Sequence, residues 1–404
     1  MERRVSIRFL DRTTPPHIFT LVLLAGLSAL AMSVFLPSLP AMTAEFETSY
    51  AVMQLSVSLY LACTAVVQLL VGPISDKYGR RPVTLAALSI FVIASIGCMS
   101  ATSAAMFLIF RMLQAIAAVT MALSRAIVRD IVSQEESASM IGYVTMGMSL
   151  VPMFAPAIGG LLDTAFGWRA TFFVMAACGL ALALLCYADQ GETNRSGGMS
   201  FKDQIADYPE LFLSRRFWGY ALAAAFSSGA FFAFLGGAPY VATVVYGMPS
   251  TSVGLFFGAP AVGYFCGNYL SARLSVRLGI NRMIWIGSII LTVGMLLSLL
   301  LTLAGFGSAY LFFGFCSFVG LGNGLILPNA NAGLLSVRPH LAGTASGVGG
   351  ALMIGGGAAL SALAGVALQT GHGSYPLQWI MLLSALSCLL CVAYVAWREN
   401  ALKR

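Results

Sequence analysis

Two groups of residues carry charge where this 404-residue chain otherwise excludes it. The first is the run Gly72-Pro73-Ile74-Ser75-Asp76-Lys77-Tyr78-Gly79-Arg80-Arg81-Pro82. Asp76 can cap the N-terminus of a neighbouring helix, where negative charge is favoured. Arg80 can bridge to Asp130, which follows Arg129 in a later segment. Gly72 and Gly79 are expected to let the chain turn sharply. Such a set does no bond-making chemistry; it can act as an acid–base latch between helices. The alternative is that Arg80 and Arg81 only fix topology.

The second group is Arg111 with Gln114, three residues apart and so on one helical face. A charge inside an apolar run is costly and marks a functional site by default. Facing a cavity, Arg111 can hold an anionic or polar ligand group, or lower the pKa of a carboxylate. Alternatively it bonds backbone carbonyls of the first helix and stiffens the fold. Ser33, Tyr60, Phe234 and Tyr264 are candidate lining residues, although buried aromatics are more often packing. Pro156, Gly159 and Gly160 are expected to bend one helix and pack it tightly against a helix of the other half; a plain kink is the alternative.

Enzymatic chemistry has no footing here. No G-x-x-x-x-G-K-[ST] loop, metal-ligand cluster or nucleophile–base pair is present, and no cofactor is expected. The eight cysteines all lie in apolar runs and read as packing residues.

The elements that must position these residues follow from composition. Of the chain, 59% is hydrophobic and 9% charged, with mean hydropathy +0.87. So apolar a surface requires the lipid bilayer as its solvent, and continuous apolar runs select helices rather than a barrel. No Asp, Glu, Lys or Arg falls in 13–44, 48–75, 82–110, 137–162, 170–188, 217–272, 283–337 or 339–397. A spanning helix needs about 20 residues. The last three runs each hold two spans, with turns at Tyr246–Ser250, Gly305–Ser308 and Thr370–Pro376, and a further span carries Arg111. The count is twelve. Pro37 and Pro40 are expected to stop the first helix. All Lys and Arg residues except Arg111 and Arg169 then fall on the side of the termini, which the positive-inside rule assigns to the cytoplasm. The net charge of +7 reflects this asymmetry, not a nucleic-acid footprint. The basic start followed by a long apolar run reads as a first helix rather than a signal peptide.

Three segments follow: a six-helix bundle at 1–188, a polar cytoplasmic linker at 189–216, and a second bundle at 217–404. Within the linker, Phe201, Ile205, Tyr208 and Leu211 can form one apolar face of an interfacial helix; a plain linker is the alternative. The halves repeat weakly: Ser75–Gly79 matches Ser275–Gly279, and Pro40 matches Pro239. Parallel repeats of this kind are the architecture in which transporters rock about a central site.

The run at 72–82 resembles the loop 2–3 signature of the major facilitator superfamily, and the likeness extends over the whole chain. Arg111-Met-Leu-Gln114 resembles the helix 4 motif R-x-x-Q-G, with Ala115 in place of glycine. Ala155-Pro156-Ala-Ile-Gly159-Gly160 is similar to the helix 5 motif of drug:proton antiporters, with Ala155 for the first glycine. Phe35–Pro40 and Val128-Arg129-Asp130 look like the bicyclomycin/chloramphenicol resistance subgroup. The resemblance implies an all-α membrane protein of twelve transmembrane helices in two pseudo-symmetric six-helix bundles, the major facilitator fold. It implies a monomeric, proton-coupled exporter of small lipophilic compounds in a bacterial inner membrane. It further implies that Asp76 caps helix 11, which starts near Leu341. A facilitator or symporter of a metabolite, or a non-transporting sensor, remains the alternative. Related exporters carry an acid in helix 1 where this chain has Ser33. Asp76, Asp130 and Asp163 are then the candidate proton carriers, and neutral or weakly polar amphiphiles the expected substrates.

Overall fold

In the computed structural model, residues 7–132, 134–194, 209–338 and 342–403 are described. Among the described residues, twelve long helical segments follow one another. They are α1 Ile18–Glu45, α2 Tyr50–Tyr78, α3 Arg80–Met99, α4 Ala104–Ile131, α5 Gln134–Phe166, α6 Arg169–Asp189, α7 Arg215–Val245, α8 Gly258–Leu278, α9 Ile280–Phe306, α10 Ala309–Val337, α11 Ala342–Ala367 and α12 Tyr375–Lys403. A short helix, Ser250–Phe256, precedes α8. Ten of the twelve are long and apolar enough, by their described residues, to cross a membrane. The other two are α5 and α8.

Serines placed at chain reversals start several helices. Ser49 accepts from Val52 N at 3.3 Å, Ser103 from Met106 N at 3.2 Å and Ser308 from Leu311 N at 3.2 Å. Each thereby satisfies a backbone donor that the first turn leaves orphaned. Pro37 and Pro40 do not stop α1 as expected. They enter a 3₁₀ turn, Leu36–Ser38, and a further helical segment, Leu39–Glu45. A proline at the start of a new turn gives up no hydrogen bond, so the axis shifts but the chain continues helically.

The run 72–82 is not a loop. Gly72 to Tyr78 complete the last turns of α2, and α3 begins at Arg80. Gly79 alone makes the break, with φ +95°, and its N–H donates to Ser75 O at 3.0 Å. The second half repeats this joint between α8 and α9. Gly279 has φ +81° and donates to Ser275 O at 2.9 Å. Positive φ at both places favours glycine because a Cβ would strain the backbone.

Helix α1 packs on α4, α5 and α6, and α3 on α6; α7 packs on α10, α11 and α12, and α8 and α9 both on α10. The two groups meet where α2 lies along α11, and where α5 meets α8 and the short helix before it. Hydrogen bonds between the groups gather at the end opposite the termini. Tyr50 Oη donates to Gly236 O at 2.8 Å, and Gln54 Nε2 donates to Ser361 Oγ at 2.7 Å. The rings of Tyr50 and Tyr240 pack 4.9 Å apart there. Of the expected interfacial helix in the linker, Phe201, Ile205 and Tyr208 lie outside the described residues; Leu211 is buried.

Candidate functional site

At the end of the bundle that carries the termini, Arg80 lies between two carboxylates. Its Nη1 is 2.6 Å from Asp76 Oδ1, one helical turn back across the Gly79 break. Its Nε donates to Asp130 Oδ2 at 3.0 Å, from the end of α4. The Arg80 side chain is only 11% exposed, so both pairs are shielded from the screening that makes exposed ion pairs weak. Ser75 Oγ accepts from Arg80 Nη1 and donates to Gly72 O at 2.9 Å. The start of α11 at Leu341 lies outside the described residues.

Arg81 does not join this clasp. Its Nη2 donates to Tyr187 O at 3.0 Å and its guanidinium lies 5.4 Å from the Tyr187 ring, both on α6. Position i+1 on a helix points to a different side from position i. Gly72, expected at a sharp turn, is helical and has open space around it. Arg129 is exposed beside the clasp.

Sequence reasoning missed the strap that follows α6. Glu192 Oε1 accepts from Arg80 N at 2.9 Å, and Oε2 from Arg81 N at 3.2 Å. A carboxylate from the segment taken for a linker therefore caps α3, where orphan donors and the helix dipole favour negative charge. Thr193 Oγ1 donates to Asp130 Oδ2 at 3.3 Å, and Asn194 Nδ2 donates to Asp76 O at 2.7 Å. Asp189, fully buried, accepts from Leu10 N, His17 N and Thr20 Oγ1 at 2.7, 2.9 and 2.6 Å, pinning the start of α1. In the sequence, Asp189, Glu192, Thr193 and Asn194 offer only polar composition at and after the end of a helix, which a solvated linker shares.

Arg111 is enclosed, with 1% exposure, where a residue facing an open cavity was expected. Its Nη2 donates to Ala31 O at 2.8 Å and its Nε to Ser56 O at 3.2 Å; Nη1 donates to Gln114 Oε1. Ala31 lies in the last turn of the first stretch of α1, where carbonyls lose their helical donors. The guanidinium sits 4.2 Å from the Phe35 ring centre and 4.0 Å from that of Tyr60. Gln114 continues the network, its Nε2 donating to Ser95 Oγ at 2.7 Å. Arg111 thus ties α1, α2 and α4 together.

The other candidates are dispersed. Ser33 is buried, its hydroxyl donating to Ala29 O at 2.8 Å within its own helix. Phe234 packs in the second half against Phe257 and Phe313, at 4.9 and 6.0 Å between ring centres. Pro156, Gly159 and Gly160 are buried in α5. A Cβ on Gly159 would run into Val34 O of α1, so its close neighbour lies in the same half rather than the other one as expected. The cross-half approach in this region is that of Gly254, where a Cβ would meet Pro156 O.

Two helical groups with close glycine joints, a clasp at one end and contacts at the other are the build of a membrane transporter. The chain belongs to the Major Facilitator Superfamily, whose sequence model matches residues 21–362. It is 28% identical to a bicyclomycin resistance protein homolog of Haemophilus influenzae, over 87% of this chain and 89% of that one. It is 27% identical to multidrug resistance protein D of Escherichia coli, over 95% and 96%. It is 30% identical to a chloramphenicol resistance protein of Pseudomonas aeruginosa, over 80% and 77%. Among solved structures, a D-xylose–proton symporter superposes with a TM-score of 0.75 at 16% identity, covering 94% and 96%. A bacterial homolog of the human lysosomal transporter Spinster, inward-facing and occupied, superposes with a TM-score of 0.72 at 17% identity, covering 95% and 96%. The fold is accordingly the major facilitator fold of a multi-pass membrane protein.

Proposed function

We propose that the protein is a secondary active exporter of small lipophilic compounds, antibiotics among them, coupled to the proton gradient. The names of its relatives support the export of antibiotics. In this reading it is a monomer of a bacterial inner membrane with both termini cytoplasmic, and the halves 1–188 and 217–404 rock about the cleft between them, joined by 189–216. The observation that carries the reading is the Asp76–Arg80–Asp130 clasp at the termini-bearing end, set against the Tyr50 and Gln54 contacts at the other. The neutral hydrogen bonds join the two halves at the far end, whereas the charge pairs lie within the first half and order the ends of α2, α3 and α4 at the termini-bearing mouth.

The apolar runs contain no carboxylate, which leaves Asp76 and Asp130 of the clasp, with Asp163 in the last turn of α5, as the groups able to carry the coupling proton. The test is uptake into proteoliposomes under an imposed pH gradient, across a small library of antibiotics. Gradient-dependent accumulation of at least one compound is expected, and strong loss of it in Asp76→Asn with insertion intact. No accumulation of any compound refutes export; normal transport by Asp76→Asn refutes the clasp.

A further inference from the structure

Helices α2 and α11 lie along each other between the halves, and a groove of about 310 Å³ opens in their seam. Ala65, Val66 and Leu69 line it from α2, and Val348 and Leu352 from α11. Phe212 joins them from the segment before α7. The lining carries no polar side chain. Val66 and Leu69 are exposed, and Leu70 and Ile74 continue the exposed apolar surface of α2, so the groove opens toward lipid. Gln68 is turned instead to Gly350 of α11. Leu69 stands nine residues before the end of α2, and Val348 six after the start of α11. At 1.5 Å per residue these are depths of about 14 and 9 Å. A hydrocarbon core about 30 Å thick places the groove in the leaflet on the side of the termini.

The rim on that side is aromatic and basic. The Phe212 ring stacks on Trp218 at 5.7 Å, and Trp218 Nε1 donates to Phe212 O at 2.8 Å. These contacts fix the first turn of α7 beside the groove. Arg215 stands three residues before Trp218, hence on the same side of the helix, and is exposed. Glu210, the one carboxylate of 209–214, is engaged by Arg338 Nε at 2.9 Å. A site for a drug-sized ligand fixes it through a few placed polar groups. This groove offers none, which suits a hydrocarbon chain. Rings at headgroup depth, and a guanidinium whose fork matches phosphate oxygens, suit the head of the same molecule.

We propose that the groove holds one acyl chain of an anionic phospholipid, with the lipid's phosphate on Arg215. Both halves line the groove, so the bound chain responds to their relative position. It shifts the balance between states by the difference in its affinity for them. That consequence rests on the transport reading; the binding itself does not.

The test therefore reads binding. Purified full-length protein is placed in phosphatidylcholine nanodiscs that contain a small share of a probe lipid with a diazirine on one acyl chain. The probe is phosphatidylglycerol or phosphatidylcholine, which share the phosphate and differ in net charge. After irradiation the labelled peptides are mapped by mass spectrometry. The glycerol probe should label 65–69 and 348–352 about fivefold more than the choline probe, the scale of one arginine at an anionic surface. At Ile93 of α3 and Leu184 of α6, both exposed, the two probes should label alike. Arg215→Gln should abolish the preference at the seam, and Arg215→Lys should keep most of it. Ala351→Trp, which fills the groove from its wall, should reduce labelling of the seam by both probes. Monodisperse gel filtration of each variant controls for folding. Equal labelling of the seam by the two probes, an undiminished preference in Arg215→Gln, or full seam labelling in Ala351→Trp would overturn the proposal. So would loss of the seam label on adding chloramphenicol, since the groove would then belong to a transported compound.

Discussion

At the residue scale, enclosure sets Arg111 apart from a residue that lines an open cavity. Arg111 spends its donors on two backbone carbonyls and an amide, between two aromatic faces. Its fork geometry is what reaches three acceptors on separate helices, and a lysine ammonium on a single stem cannot reproduce it. Arg111→Lys is expected to lose about 2–3 kcal/mol of stability, the scale of hydrogen bonds to a charged group, read as a lower melting temperature in detergent. The affinity for a transported compound should change little in the folded fraction. A large affinity loss at unchanged melting temperature would return Arg111 to the ligand site. Sequence spacing made Gln114 legible as its partner. Bonds to backbone carbonyls of the first helix were open as the alternative to a ligand role; what spacing could not give was the choice between the two, or the second acceptor, Ser56 O of α2, which carries no side-chain signature.

At the element scale, the joints were legible where a residue type has only one use. Gly79 and Gly279 mark the two equivalent helix breaks because only glycine sits easily at their φ. Pro37 and Pro40 misled, since proline both ends helices and begins them. The strap after α6 was invisible as a site because its polar composition also fits a solvated linker, and only the fold brings Glu192 to the N-terminus of α3. Its placement makes a prediction. Glu192→Gln keeps the size but removes the charge that faces two backbone N–H groups and the α3 dipole. It should cost about 0.5–2 kcal/mol, the scale of lost helix caps. Because Thr193 and Asn194 hold Asp130 and Asp76 from the same strap, transport should fall more than global stability. Hydrogen exchange at the first turn of α3 should rise in that variant. Unchanged exchange there would mean that the cap contributes nothing to the order of the joint.

At the scale of the whole molecule, the twelve-helix count, the turns between paired spans and the internal repeat were all legible, because lipid forces backbone hydrogen bonding into long helices. The contacts between the halves were not, because they depend on tertiary placement rather than on any motif. Tyr50 and Gln54, one turn apart on α2, hold the far end shut against α7 and α11. Both partners are in the other half, so these bonds must break when that end opens. Removing them shifts the equilibrium only by their differential strength between states. Tyr50→Phe with Gln54→Ala deletes three neutral bonds, worth about 0.6 kcal/mol each on average in membrane proteins. The far-end-open population should therefore rise by roughly tenfold to twentyfold, since about 1.4 kcal/mol corresponds to a factor of ten. The expected readout is faster hydrogen exchange in the first turns of α2 and the last turns of α11, together with protection of the clasp around Arg80. The opposite pattern, with the clasp loosened and the far end unchanged, would show that the two ends do not alternate, and that the halves do not move as rigid bodies about the cleft.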